Sequence, residues 1–143
     1  MIRVTRRYRF TASHRLSSPR LPEEENRRIY GKCANPYGHG HDYLLEVSAR
    51  GPVDPRSGRA VDTPALDELV RDRVLKPFDH RNLNLDAPEF QGGVVPTTEN
   101  LGLEIARRLG AGWKQVFPGG WPVLEKIRIV ETPRNIFEVV VNP

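Results

Sequence analysis

His39-Gly-His-Asp-Tyr-Leu-Leu-Glu-Val-Ser-Ala-Arg50 is the stretch that decides the fold. His39, His41, Tyr43, Leu45, Val47 and Ala49 take alternate positions, with Asp42, Glu46, Ser48 and Arg50 between them. Successive side chains of a strand point to opposite faces, so this period of two predicts a half-buried strand over 39–50. Residues 2–14 read the same way. Ile2, Val4, Tyr8, Phe10, Ala12 and His14 share one face; Arg3, Thr5, Arg7, Arg9 and Thr11 share the other.

Working outward, residues 15–38 mix Pro, Gly, Asn and charge and predict a long loop with a helical turn around Glu23–Arg28. Loops this long in a small domain usually carry function. Gly51–Gly58 is turn chemistry, and Arg59–Asp62 is expected to extend the sheet. Thr63 reads as a helix N-cap with Pro64 at the first helical position. Leu66, Leu69, Val70 and Val74 then fall on one helical face, and Lys76-Pro77 ends that helix. A second long loop runs over 78–96. Thr97 or Thr98 caps the next helix with Glu99 in its first turn, where the helix dipole favours an anion. Its stripe is Leu101, Ile105 and Leu109, with Gly110 as the stop. Two short strands follow, at about Leu124–Glu131 and Ile136–Val141. The predicted order is β-β-α-α-β-β, an α+β domain whose antiparallel sheet carries two helices on one face. Four short strands leave two sheet edges, and such edges tend to be covered, here by oligomerisation.

The chain of 143 residues suits a single domain spanning 1–143. Apolar residues at 38% and charged residues at 28% describe a globular, somewhat polar protein rather than a disordered one. No apolar run approaches the roughly 20 residues of a membrane span, and the alternating N-terminus lacks the apolar stretch of a secretory signal. Cys33 is the only cysteine, which rules out an intrachain disulfide and points to a reducing, cytoplasmic location. The net charge of +4 comes with 18 arginines among the 22 basic residues, but no basic block of five or more occurs. With aromatics at 8%, a nucleic-acid-binding signature is thin and no nucleic-acid partner is expected.

His39-Gly-His41 is the strongest chemical signal. Residues i and i+2 of a strand point the same way, so both imidazoles can meet one ion, and the intervening glycine admits a close backbone approach. His14 ends the neighbouring strand on the same apolar side. Three neutral imidazoles with a fourth position open are the donor set of a catalytic zinc; the plain alternative is two solvated loop histidines and one satisfied in the core. Cys33 lies six residues before His39. As a fourth ligand it closes the site; beside a dication without binding it, the thiol gains thiolate character and can act as a base. Asp79-His80 sits in a loop after a helix stop, where an imidazole can relay protons or lie exposed in a turn. Glu131 shares the face of Ile127 and Ile129, so its carboxylate points inward and needs a partner. That partner is either an arginine or the N–C–N edge of a ligand, which two parallel hydrogen bonds fit.

Together these residues resemble the 6-pyruvoyl tetrahydropterin synthase family. The matching pieces are Phe10-Thr-Ala-Ser-His-Arg-Leu16, Gly31-Lys-Cys-Ala-Asn-Pro-Tyr-Gly-His-Gly-His41, Lys76-Pro-Phe-Asp-His-Arg-Asn-Leu-Asn-Leu-Asp86, Pro96-Thr-Thr-Glu-Asn100 and Val130-Glu-Thr132, in the family's order. The resemblance implies the tunnelling fold (T-fold), whose β-β-α-α-β-β subunits assemble into an oligomeric barrel, typically a homohexamer of two trimers. It implies Zn²⁺ held by His14, His39 and His41, with Mg²⁺ an optional companion of the substrate's triphosphate. It further implies Cys33 as the catalytic base, Asp79 and His80 as its relay, supplied by the same or a neighbouring chain, and Glu131 with Thr97 and Thr98 around the pterin. The implied reaction turns 7,8-dihydroneopterin triphosphate into 6-pyruvoyl tetrahydropterin and triphosphate. The related 6-carboxytetrahydropterin synthases of the queuosine pathway share the zinc triad, but usually place their cysteine four residues before the first histidine rather than six. Ala34, Tyr37 and Pro96 depart from the family pattern at positions with no named role. A non-catalytic, zinc-stabilised RNA-binding module is the competing reading from another class.

Overall fold

The computed structural model describes residues Met1–Pro143. Its frame is one five-stranded sheet in the order β3 (Arg81–Asn82), β1 (Ile2–His14), β2 (His39–Gly51), β4 (Val123–Thr132), β5 (Asn135–Val140). Strands β1 (Ile2–His14) and β2 (His39–Gly51) pair antiparallel along their whole length, from Ile2 opposite Gly51 to His14 opposite His39. A one-residue slip would turn every apolar side chain of β2 away from the core, so the alternation itself pins this register. Strands β4 (Val123–Thr132) and β5 (Asn135–Val140) extend the sheet antiparallel beyond β2. The two leading strands, at 13 residues each, are long rather than short.

One face of the sheet is covered by helices. Tyr43, Leu45, Val47 and Ala49 of β2 and Leu124, Ile127 and Ile129 of β4 are buried there. They form one core cluster with Leu66, Leu69 and Val70 of α2 (Thr63–Val70) and with Leu101, Ile105 and Leu109 of α5 (Thr98–Val116). The other face is polar and cross-linked. Glu46 accepts from Arg7 at 2.8 Å and Arg128 at 2.7 Å, and Thr5 and Ser48 hydroxyls meet at 2.8 Å. Burial raises the Glu46 carboxyl, yet its two guanidinium partners outweigh that and hold it below the usual range.

Several boundaries differ from the sequence reading. Helix α1 (Glu23–Tyr30) runs for eight residues where one turn was expected. Glu23, Glu24 and Glu25 open it and Arg27 and Arg28 close it, a charge order that complements the helix dipole. Arg59–Asp62 makes no strand, and Asp62 rather than Thr63 caps α2, its carboxylate accepting from Ala65 N–H at 3.1 Å. The helix ends at Phe78, one residue beyond the expected stop at Lys76-Pro77. It passes through a π turn (Arg71–Leu75) into α3 (Lys76–Phe78). Pro77 has no N–H for the Arg73 carbonyl four residues back, and Arg108 Nη1 donates to that carbonyl instead at 3.3 Å.

Thr97 caps α5, as one of the two expected residues, with its hydroxyl accepting from Asn100 N–H at 3.2 Å. Gly110 does not stop this helix, which continues to Val116. Burying Trp113 and Phe117 is worth more than the roughly 1 kcal/mol a helical glycine costs, and Trp113 Nε1–H also bonds to the Pro122 carbonyl at 2.8 Å. Strand β3 (Arg81–Asn82) pairs parallel with Ala12 and Ser13, and α4 (Leu83–Asp86) follows it. Two residues are too few for periodicity to reveal. No helix is long and apolar enough to cross a membrane.

Candidate active site

The β1–β2 register builds a group of side chains that could hold a metal ion. His14 closes β1 and His39 opens β2 directly opposite it, while His41 lies two residues further along the same face. The three rings stand 5.1, 5.0 and 4.7 Å apart between centroids, each nearly perpendicular to the others. The donor atoms of His14, Cys33, His39 and His41 all lie within 4.8 Å of one another. Nε2 of His39 and Nε2 of His41 face each other at 2.9 Å, close to the roughly 3.3 Å that two nitrogens span on a tetrahedral zinc.

His14 carries the clearest sign of a ligand. It is buried, and its Nδ1 lies 2.9 Å from the carbonyl of Pro96. That carbonyl can only accept, so Nδ1 carries the proton and Nε2 presents a lone pair. Nε2 is buried with no hydrogen-bond partner. Burial lowers the basicity of His14 and of His41, with Glu131 opposing the shift at His41. Neutral imidazole is the form that binds metal. A cation fits this donor set. Pro96 thus orients the His14 ring, and does so through its backbone carbonyl.

Cys33 comes from a 3₁₀ turn, Gly31–Ala34, whose backbone is tied to β1 because Leu16 N–H donates to the Cys33 carbonyl at 2.7 Å. Gly38 closes the turn into β2 with φ of +68°, and a Cβ there would lie 2.7 Å from the His14 carbonyl oxygen. Only glycine permits both the backbone angle and the approach. The Cys33 sulfur sits 3.4 Å from His39 Nε2, a separation that suits a fourth ligand and an uncoordinated neighbour equally. Burial and the Glu131 carboxylate raise the Cys33 thiol above its ordinary range.

Glu131 stands near the end of β4 on the same face as Ile127 and Ile129 and points into the same cleft. The Thr98 hydroxyl, buried at the start of α5, donates to Glu131 Oε2, and Oε1 lies 3.4 Å from His41 Nε2. The cleft measures about 750 Å³ and is lined by Cys33, His39, His41, Glu131, Thr132 and Asn135, with Arg27 and Lys32 also on its wall. The sequence reading left the basic residues of the site unnamed. Arg27 of α1 and Lys32 of the following turn stand on the wall of the cleft, a placement that periodicity does not reveal. Neither Thr97 nor Thr98 lines this cleft: the Thr97 hydroxyl caps α5, and Thr98 reaches the site only through its bond to Glu131.

Asp79 and His80 are not brought to Cys33 within one chain. They line a separate cleft with Arg9, Thr11 and Asp42. Asp79 Oδ1 accepts from Thr11 N–H at 2.9 Å, and His80 N–H donates to the Thr11 carbonyl at 2.6 Å. The His80 side chain is 81% exposed and 3.6 Å from Asp79 Oδ2, too far for a hydrogen bond. His80 holds a φ of +58°, rare for a non-glycine residue and often found at functional sites.

A family model described as 6-pyruvoyl tetrahydropterin synthase matches residues 3–141. The chain is 44% identical over 133 residues to the 6-pyruvoyl tetrahydrobiopterin synthase of Poecilia reticulata, covering 93% of this chain and 86% of that protein. It is 42% identical over 133 residues to the Homo sapiens protein of the same name, covering 93% and 87% respectively. The solved structure of Caenorhabditis elegans 6-pyruvoyl tetrahydropterin synthase superposes with a TM-score of 0.85 at 40% identity, covering 98% of this chain and 95% of that one.

Proposed function

The chain belongs to the 6-pyruvoyl tetrahydropterin synthase family, and from that premise we propose that it is a zinc-dependent 6-pyruvoyl tetrahydropterin synthase. It takes 7,8-dihydroneopterin triphosphate to 6-pyruvoyl tetrahydropterin and releases triphosphate. The observation that supports this reading is the grouping of the His14, Cys33, His39 and His41 donor atoms within 4.8 Å of one another, at a cleft that Cys33, His39, His41 and Glu131 line. The activity belongs to one domain spanning residues 1–143.

His14, His39 and His41 would hold Zn²⁺. When bound, the ion supplies Lewis acidity toward the hydroxyls and developing carbonyls of the substrate side chain. Cys33 acts as the base that removes a side-chain proton. Returning protons to the ring reduces its imine at the expense of the side chain, so no external hydride is needed. Loss of triphosphate then completes the second carbonyl. Glu131 holds the pterin by accepting two N–H bonds along the ring's N–C–N edge, and Thr98 steadies that carboxylate. Arg27 and Lys32 face the triphosphate, where positive charge favours a polyanion.

Asp79 and His80 of a neighbouring subunit take the proton on from Cys33, which accounts for their separate cleft in a single chain. The open edge of β5 supports assembly into a barrel, as a homohexamer in the cytoplasm. Zinc content by metal analysis, followed by incubation with dihydroneopterin triphosphate and product identification by mass, tests the proposal. Zinc near one per chain and a pyruvoyl product are expected. Release of acetaldehyde would reassign the chain as a 6-carboxytetrahydropterin synthase. No turnover, together with salt-sensitive RNA binding, would replace the enzyme with a binding module.

A further inference from the structure

Asp79 and His80 stand near the start of the segment 78–90, and Arg108 of α5 grips that segment at both ends. Its guanidinium carbon lies 4.7 Å from the centroid of the Phe78 ring, the residue directly before Asp79. Nη2 donates to Glu89 Oε1 in the 3₁₀ turn Pro88–Phe90. Nε donates to Glu104 Oε1 at 3.0 Å, one turn back on α5, and Nη1 donates to the Arg73 carbonyl at 3.3 Å. The Arg108 side chain is only 18% exposed, so water competes little for these contacts. A planar fork of five N–H donors can serve three acceptors at once, which an ammonium cannot do in the same geometry.

The Arg73 carbonyl needs this donor because Pro77 brings it none. Beyond it, Phe78 is fully buried and Asp79 N–H closes onto the Leu75 carbonyl at 2.8 Å. The chain therefore leaves the helix at a fixed point, and its next two residues meet Thr11 of β1. The left-handed φ of +58° at His80 persists only where its surroundings over-determine it. Thr11 constrains the dipeptide from one side, and the anchored helix end constrains it from the other. We infer that Arg108 is a positioning residue for the proton relay: it fixes the helix end and the Phe78 ring from which Asp79 and His80 are presented. It bonds to neither of them and acts through the backbone between. The inference rests on the relay role proposed above.

Arg108→Lys keeps the charge and loses the fork. Its kcat on dihydroneopterin triphosphate is expected to fall about ten- to hundredfold, the cost of a misaligned catalytic group. Zinc content and neopterin affinity, followed by pterin fluorescence, should stay within about twofold, since neither depends on that alignment. Arg107 is the control, because its guanidinium bonds only to the same Glu104, at 2.9 and 2.6 Å; Arg107→Met should keep the wild-type kcat. His80→Asn removes the imidazole with a residue that tolerates the left-handed backbone. In that background Arg108→Lys should lower kcat no further, because the group it aligns is gone.

An unchanged kcat in Arg108→Lys, zinc or neopterin binding lost along with kcat, an equal fall in Arg107→Met, or losses that multiply in the double variant would each overturn the inference. Wild-type protein without turnover, or His80→Asn with full kcat, would sink the functional reading of the relay and this inference with it. An impaired His80→Asn beside an unimpaired Arg108→Lys would sink this inference alone.

Discussion

Replacing Gly38 with alanine probes how the fold delivers the metal-binding group. Gly38 links the Cys33 turn to His39 at φ of +68°, and its added Cβ would lie 2.7 Å from the His14 carbonyl oxygen and 3.2 Å from its carbon. The left-handed backbone alone costs an L-residue roughly 1–2 kcal/mol. The contact is with backbone, which cannot rotate away, and relieving such overpacking adds roughly 1–3 kcal/mol. Relief comes by moving either the carbonyl of His14 or the turn that carries His39, and both movements spread the ligand set. Gly58 isolates the two terms, because it has φ of +74° with nothing within 4 Å of its added Cβ. Gly58→Ala should therefore lose only the first term and bind zinc as before. Gly38→Ala should lose about 2–5 kcal/mol by urea denaturation, with zinc affinity down at least about tenfold in a competition titration. Equal stability of the two variants, with zinc affinity intact in both, would refute the argument that this close approach sets the site.

Cys33→Ala should leave zinc stoichiometry unchanged while turnover falls about 10²–10⁴-fold, the scale of a lost general base; loss of metal in that variant would make the sulfur a ligand. Glu131→Gln should weaken pterin binding about tenfold or more, because an amide accepts along only one of its two edges atoms and repels the second ring N–H; unchanged affinity in a fluorescence titration would remove Glu131 from the ring-anchoring role. Hydrogen bonds from Arg107 and Arg108 hold Glu104 below the usual carboxylate range against the opposing effect of burial. The folded pKa being depressed, that contribution is complete above the unfolded value of about 4.3 and fades as pH falls through the folded one. Glu104→Gln should thus be less stable than wild type at pH 7, by about 1 kcal/mol, and the gap should shrink below pH 4 in paired denaturation curves.

The strands that matter were legible because their signal is local. Alternation over 2–14 and 39–50 placed His14, His39 and His41 on the apolar face, and the same rule placed Glu131 with Ile127 and Ile129. Thr97 was readable as a cap from its position before the stripe of α5. Each of these inferences needs only neighbours within a few residues and the geometry of one element.

What escaped the sequence depends on contacts between distant segments. Arg108 carries a helix past Pro77, and Trp113 carries another past Gly110. Register brings His14 opposite His39, the Pro96 carbonyl fixes the His14 tautomer from 82 residues away, and the path of the chain over 23–34 sets Arg27 and Lys32 on the cleft wall. Asp79 and His80, expected to relay protons for Cys33 from the same or a neighbouring chain, lie in another cleft of the folded chain. Residue type and spacing name the groups able to do chemistry, because hydrophobic burial acts face by face along each element. Which of those groups meet is set by long-range backbone pairing and by where loops can satisfy their polar atoms, and no local period encodes either.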